Sequence, residues 1–257
     1  MIPKIIHYCW FGRGPLPELA QKCIASWKKY LPDYEIKEWN EDNFDVNIIP
    51  YTAEAYARKK YAFVSDYARF WVLYKYGGIY FDTDVEVIKS FDEIVTKGNF
   101  MGFELDPNGE NSPKKYAPRY AFSVNPGVGL GMAKGHSFVK KMLDYYATLH
   151  FDTNELNPWY QTIVSYTTLR LMEEGLKNEP GIQQVGDITV YPHEYFSPIN
   201  MVSGRLHVTS NTYSIHRYMG SWDDRKKTFK DVVRGWIPEW VFMLNNKWKR
   251  RRFRKAK

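Results

Sequence analysis

At 257 residues and 44% hydrophobic content, the chain is long and apolar enough for one large domain and is no disordered polymer. Its net charge of +7 misleads if spread over the surface, because residues 247–257 hold eight Lys and Arg and no acid, which leaves −1 for everything before them. A near-neutral body with a basic tail argues against a nucleic-acid groove through the fold and for a local anionic partner at the C-terminus. The 20 Tyr, 15 Phe and 9 Trp suit a core of large rings, surfaces that stack on sugars and bases, or both. Cys9 and Cys23 have neither metal-ligand spacing nor the makings of a disulfide framework, so free thiols in a reducing compartment are expected. Strand-like sequence from Ile2, and no apolar run of membrane-spanning length, predict a cytoplasmic protein without a signal peptide, soluble or peripheral.

Residues 5–10 predict a first strand. Residues 16–31 fit an amphipathic helix, with Leu19, Cys23, Ile24, Trp27 and Leu31 at helical spacing, and residues 34–39 alternate as a second strand. This opening predicts an α/β sheet, with Trp10 at the C-terminal end of the first strand, where open α/β sheets bind ligands. Phe11-Gly12-Arg13-Gly14 lacks the third glycine of a dinucleotide fingerprint. Helices are predicted over residues 52–60 and 62–76. The second is apolar nearly all round, as a buried helix is, and is stopped by Gly77-Gly78. Within it Asp66 and Arg69 share a face at i and i+3, and composition alone favours a structural ion pair over a ligand contact. Residues 99–105 predict a strand, 106–119 a loop long enough for a lid, and 122–132 a segment whose three alternating glycines suit close backbone packing. Helices follow at 136–148 and 159–174, a strand at 188–191 and a loop at 193–199.

The stretch Tyr76-Gly-Gly-Ile-Tyr-Phe-Asp-Thr-Asp-Val-Glu-Val-Ile88 organises the rest. Were residues 79–88 one strand, Tyr80, Asp82, Asp84 and Glu86 would share a face and form an acid cluster that calls for a cation. A lone Asp-x-Asp is weak, since 14 Asp in 257 residues give about one such triplet by chance. Its setting after a strand and a buried helix adds weight. Hard oxygen ligands of this kind suit Mg²⁺ or Mn²⁺ beside substrate phosphates, with His216 able to complete the shell. A phosphatase with an Asp nucleophile uses the same triplet, but expects a small residue where Glu86 stands and places the motif near the start of the chain. A non-catalytic sugar-binding protein is the other alternative.

Further blocks surround the triplet: Ile-Pro-Lys-Ile-Ile-His-Tyr-Cys-Trp-Phe-Gly (2–12), Ser-Trp (26–27), Pro-Asp-Tyr-Glu (32–35), Ser-Asp-Tyr-Ala-Arg (65–69), Leu-Tyr-Lys-Tyr-Gly-Gly-Ile-Tyr-Phe-Asp-Thr-Asp-Val (73–85), and His216 with Gly-Ser-Trp (220–222). Together they resemble glycosyltransferase family 32, the DXD-containing sugar-binding-region proteins of capsule and exopolysaccharide gene sets. Initiating α-mannosyltransferases and, more distantly, the clostridial glucosylating toxins are relatives. The resemblance implies a GT-A fold: a single Rossmann-like mixed sheet flanked by helices, in a domain over residues 1–226. It implies a metal-dependent, retaining hexosyltransferase that uses a nucleotide sugar, with UDP-galactose the first expectation among UDP-sugars. By position, Trp10 would stack on the base, Asp66 hold the ribose or donor sugar, Arg69 bind the donor and Tyr80 line the nucleotide pocket. Asp82 and Asp84 would hold the metal and diphosphate with His216, Asn125 would face the donor sugar or acceptor, and Ser221 and Trp222 would close over the diphosphate. Many eukaryotic members carry Thr-Gly-Pro where this chain has Gln161-Thr162-Ile163-Val164, so no acceptor residues are carried over.

The C-terminal appendage, residues 227–257, mixes Trp236, Trp240, Phe242, Leu244, Trp248 and Phe253 with the basic run. It reads as a solvated tail or as an interfacial segment on anionic lipid, and the second is favoured. The expected partners are thus a nucleotide-sugar donor, a saccharide or polyprenyl-diphosphate-linked acceptor and an anionic membrane surface, with no nucleic acid. The expected location is the inner face of the cell membrane.

Overall fold

The computed structural model describes residues 1–107, 122–151, 162–201 and 203–219. At its centre lies α3 (Tyr61–Tyr76), whose Val64, Tyr67, Ala68, Phe70, Val72 and Leu73 are all buried. Gly77 ends it at φ 68°, its N–H capping the Leu73 carbonyl, and Gly78 follows at φ 115°. Both angles lie where a Cβ is strained, so two glycines turn the chain from the helix into β3 (Gly78–Tyr80).

The main sheet takes the order β2-β1-β3-β7-β5-β9-β8, with β6 added to β5. Its members are β1 (Ile5–Cys9), β2 (Glu35–Trp39), β5 (Asn99–Leu105), β6 (Ser123–Val124), β7 (Leu130–Met132), β8 (Gln183–Val185) and β9 (Ile188–Tyr191). The β1–β2, β1–β3 and β5–β9 pairs are parallel, and β7 runs antiparallel between β3 and β5, so the sheet is mixed. Ile79 and Tyr80 of β3 divide between two cores, as alternation requires: Tyr80 joins one, and Ile79, with Phe81 just past the strand, the other. The first core includes residues of α2 (Pro50–Ala57), α3, α5 (Ser137–Ala147) and α6 (Ile163–Glu173). The second takes Ile24 and Trp27 of α1 (Glu18–Tyr30), Ile94 of α4 (Asp92–Thr96) and Phe196 of α7 (His193–Phe196).

A buried histidine ties the first three strands to α3. His7 Nδ1 accepts from Trp39 Nε1 at 3.0 Å, and its Nε2–H donates to the Gly77 carbonyl at 2.8 Å. Both ring nitrogens are used by one neutral tautomer, and burial holds the ring down to a pKa of about 4.

The structure corrects the expected strand over residues 79–88. The chain leaves the sheet after Tyr80, and a turn forms in which Val85 N–H donates to the Asp82 carbonyl at 3.0 Å. Then β4 (Val85–Val87) pairs antiparallel with β10 (Ser214–His216) in a separate ribbon. The expected single face of acids is therefore absent. Glu86 leaves the cluster altogether and pairs with Arg217. The loop expected at 193–199 begins with α7, and α4 and β8 had no counterpart in the sequence reading. The helix expected at 52–60 starts two residues earlier, with Pro50 in its first turn, where a missing N–H costs nothing. The lid expected at 106–119 and the helix start expected at 159 lie largely outside the described residues.

Candidate functional site

The turn that interrupts the strand creates the site. Asp82, just past the end of β3, is fastened through its backbone, its N–H donating to the Gly127 carbonyl at 3.0 Å. Its Oδ1 accepts from the Tyr80 hydroxyl at 3.2 Å. Gly127 lies so close that a Cβ there would sit 1.9 Å from Asp82 Oδ2 and 3.0 Å from Arg69 Nη1. The expectation of a close approach by the glycines of 122–132 is met here.

Asp66 and Arg69 face the same space from α3. Arg69 donates from Nε to the Ser65 carbonyl at 3.2 Å and from Nη2 to Asp66 Oδ1 at 3.1 Å, and its guanidinium lies 4.7 Å from the Tyr80 ring centre. Its Nη1 is 3.3 Å from Asp82 Oδ1, outside hydrogen-bond geometry, and is buried with no hydrogen-bond partner. Burial works against the Arg69 charge, and Asp82, Tyr80 and Asp66 more than offset it. For Asp66, burial outweighs the attraction of Arg69 and lifts the carboxyl to about 7. The pair is both structural and directed into a cavity.

Opposite stands the ion pair of Asp84 and His216, brought together by the β4–β10 ribbon. His216 Nε2 is 3.1 Å from Asp84 Oδ1, and Asp84 Oδ2 accepts the Met219 backbone N–H at 2.7 Å. Burial disfavours both charges. The attraction between them prevails, holding Asp84 down to about 2 and His216 up to about 9. Ligand atoms of Asp82, Asp84 and His216 all lie within 4.8 Å of one another. Two carboxylates and an imidazole form a donor set that fits Mn²⁺ or Mg²⁺, and His216 Nδ1 is buried with no hydrogen-bond partner.

These residues line a cavity of about 950 Å³, within the range of small-molecule sites. Trp10, half-buried, reaches the wall with its ring anchored by Nε1–H donating to the Gly14 carbonyl at 2.7 Å. Every expected site residue among those described, from Trp10 to His216, borders this one cavity; Ser221 and Trp222 lie outside the described residues. Asn125 is oriented unambiguously. Its Oδ1 accepts the Gly127 N–H at 2.7 Å, so its Nδ2 is the atom 2.9 Å from Glu104 Oε1. Glu104 is the wall residue that the sequence reading missed. The available signal was one acid inside the apolar run Asn-Phe-Met-Gly-Phe-Glu-Leu of β5.

Comparison with known proteins shows what this chain resembles. Residues 17–101 match the family described as glycosyltransferase sugar-binding region containing DXD motif, and Asp82-Thr83-Asp84 falls inside the match. The chain is 28% identical over 153 residues to inositol phosphoceramide mannosyltransferase 3 of Schizosaccharomyces pombe, an alignment covering 55% of this chain and 36% of that protein. It is 23% identical to the initiation-specific alpha-1,6-mannosyltransferase of the same yeast, over 87% of this chain and 64% of that one. The chain thus spans about a third of the length of the first curated relatives it matches. Among solved structures, the PaToxG glycosyltransferase superposes with a TM-score of 0.50 at 23% identity, over 68% of this chain and 70% of that one. The fold is GT-A, and the resemblance read from the sequence is borne out.

Proposed function

We propose that the chain is a metal-assisted glycosyltransferase that moves a hexose from a nucleotide sugar to a saccharide or lipid-linked acceptor. The observation that carries the reading is the Asp82, Asp84 and His216 cluster in one cavity wall, facing the orphaned Nη1 of Arg69. The Arg69 guanidinium, paired with Asp66 and Asp82, sets a positive charge beside these carboxylates that favours a phosphate group. Trp10 supplies a ring for the base, Tyr80 walls the nucleotide pocket, and Asp66 accepts from a ribose or sugar hydroxyl. Asp82, Asp84 and His216 would hold Mn²⁺ or Mg²⁺, which would supply Lewis-acid neutralisation of the charge on a departing diphosphate. By the resemblance, Ser221 and Trp222, outside the described residues, are assigned to the same diphosphate.

The transfer proceeds with retention, the departing phosphate oxygen taking the acceptor proton on the face from which it leaves. The catalytic domain is residues 1–226, and the basic aromatic segment 227–257 rests on anionic lipid, in keeping with a lipid-linked acceptor of capsule or exopolysaccharide synthesis at the inner face of the membrane. UDP-galactose leads the donor panel, which also takes UDP-glucose and, because two similar proteins are named mannosyltransferases, a nucleotide-linked mannose. The test is donor hydrolysis with and without Mn²⁺. Turnover in the wild type, and loss of at least ~100-fold in Asp84→Ala, is the expected result; full activity in that variant would remove the metal assignment. Protein ending at Asn246 should keep hydrolysis and lose binding to anionic vesicles, and equal vesicle binding by both forms would remove the membrane reading.

A further inference from the structure

Resting on that reading, we propose that Glu104 holds hydroxyl groups of the transferred sugar, with Asn125 as its bracket. Three features of the geometry, found in different parts of the fold, lead to the same residue. The first is a bulge. In the β5–β6 pair, Phe103 lies opposite Val124 and Leu105 opposite Ser123, so the register slips and Glu104 is the extra residue. Bulges re-aim a side chain at the expense of ladder regularity. This one puts a carboxylate into the cavity wall from a strand that otherwise reads Asn-Phe-Met-Gly-Phe and Leu around it.

The second feature is the bracket. Asn125 uses Oδ1 on the Gly127 N–H and Nδ2 on Glu104 Oε1, so its amide ties the carboxylate to the 125–127 turn. The third is where that turn leads. Its Gly127 carbonyl accepts the Asp82 N–H, and its α-carbon lies against the Asp82 carboxylate and Arg69. One rigid path therefore runs from the diphosphate residues to Glu104. The only part of a nucleotide sugar bonded directly to the diphosphate, other than the nucleoside, is the sugar. A carboxylate accepts from two adjacent hydroxyls, and among the described residues the second oxygen of Glu104 has no hydrogen-bond donor. On this reading Asn125 serves the sugar through Glu104, its Oδ1 being turned to the Gly127 N–H.

Glu104→Gln separates the roles. A glutamine oxygen still accepts from Asn125, while a donor-only amide NH2 replaces the sugar-facing oxygen. Calorimetric titration with Mn²⁺ present would compare UDP, which has no sugar, with UDP-galactose and UDP-glucose. The expected result is UDP affinity within twofold of wild type and sugar-nucleotide affinity down ~10-fold or more, the loss shrinking for a deoxy analogue that lacks the contacting hydroxyl. Glu104→Ala should show the same pattern, with a thermal melt confirming its fold. If UDP-sugars bind both variants as they bind wild type, or if UDP is weakened equally, the inference fails while the transferase reading stands. If wild type binds neither UDP nor any sugar nucleotide of the panel, the transferase reading fails first, and this inference with it.

Discussion

Gly127→Ala tests the construction of the site at one atom. The added methyl carbon would stand 1.9 Å from Asp82 Oδ2, 2.7 Å from its Cγ and 3.0 Å from Arg69 Nη1. Ordinary carbon contacts begin well beyond 3 Å, so something must move by about 1 Å or more. Asp82 cannot swing away freely, because Tyr80 holds its Oδ1 and Gly127 its own N–H. Arg69 is buried and tied to Asp66 and Ser65. Overpacking of this type costs about 1–3 kcal/mol, which for a domain of this size is a melting shift of roughly 2–12 °C. Displacing a catalytic carboxylate by 1 Å is worth ~100-fold in rate. Thermal melts and Mn²⁺-dependent donor hydrolysis read both effects. Gly14→Ala is the control, since Gly14 also borders the cavity but a Cβ there meets nothing within 4 Å. A Gly127→Ala protein with wild-type melting and wild-type turnover would refute the packing argument at its root.

Three further outcomes follow from the same geometry. His7 has a folded pKa of about 4 against an ordinary 6.5, so its neutral form favours the fold; that stability is complete above pH 6.5 and is lost as pH falls through 4, up to about 3 kcal/mol. Urea melts between pH 7 and 4 should show this slope and His7→Gln should flatten it; an unchanged slope would break the assignment. In metal-free protein, the Asp84–His216 pair stabilises most fully between about pH 4 and 6.5. The His216 share is lost as pH rises through about 9 and the Asp84 share as it falls through about 2. With His216 as a ligand, bound Mn²⁺ would displace its proton, so apparent Mn²⁺ affinity should rise with pH up to about 9, and a flat profile would mean that His216 is no ligand. Arg69→Lys keeps a charge but loses the planar fork shared by Ser65, Asp66 and the cavity, and donor affinity should fall ~10-fold or more, against no change if only charge matters.

How far the sequence carried the site depended on whether local pattern or long-range closure set each residue. Buried helix α3, the Gly77-Gly78 stop and the short strands β1 and β2 were legible, because each is set by residues within a few positions. The run over 79–88 was misread for a physical reason. Alternation is a property of a pleat, and it says nothing about which sheet a segment pairs with. Val85–Val87 finds its partner in Ser214–His216, more than a hundred residues away, and that pairing draws the chain out of the main sheet into a turn. The turn, with no pleat, is what joins Asp82 to Asp84. Glu86 looked equivalent to them and pairs with Arg217, because it lies on the ribbon and not in the turn.

The same reasoning explains why resemblance located Asn125 without revealing its work. A family motif records a residue type at a position, whereas the direction of an amide is fixed by its two neighbours. Here Gly127 N–H can only donate, which leaves the Asn125 Nδ2 for Glu104. The residue that gains is the one on the bulge, and a bulge exists only once two strands have paired out of step. Sequence alone could present Glu104 only as an acid misplaced in an apolar strand. In the fold that misplacement is what brings a carboxylate to the cavity, one turn of chain away from Asp82 and Arg69.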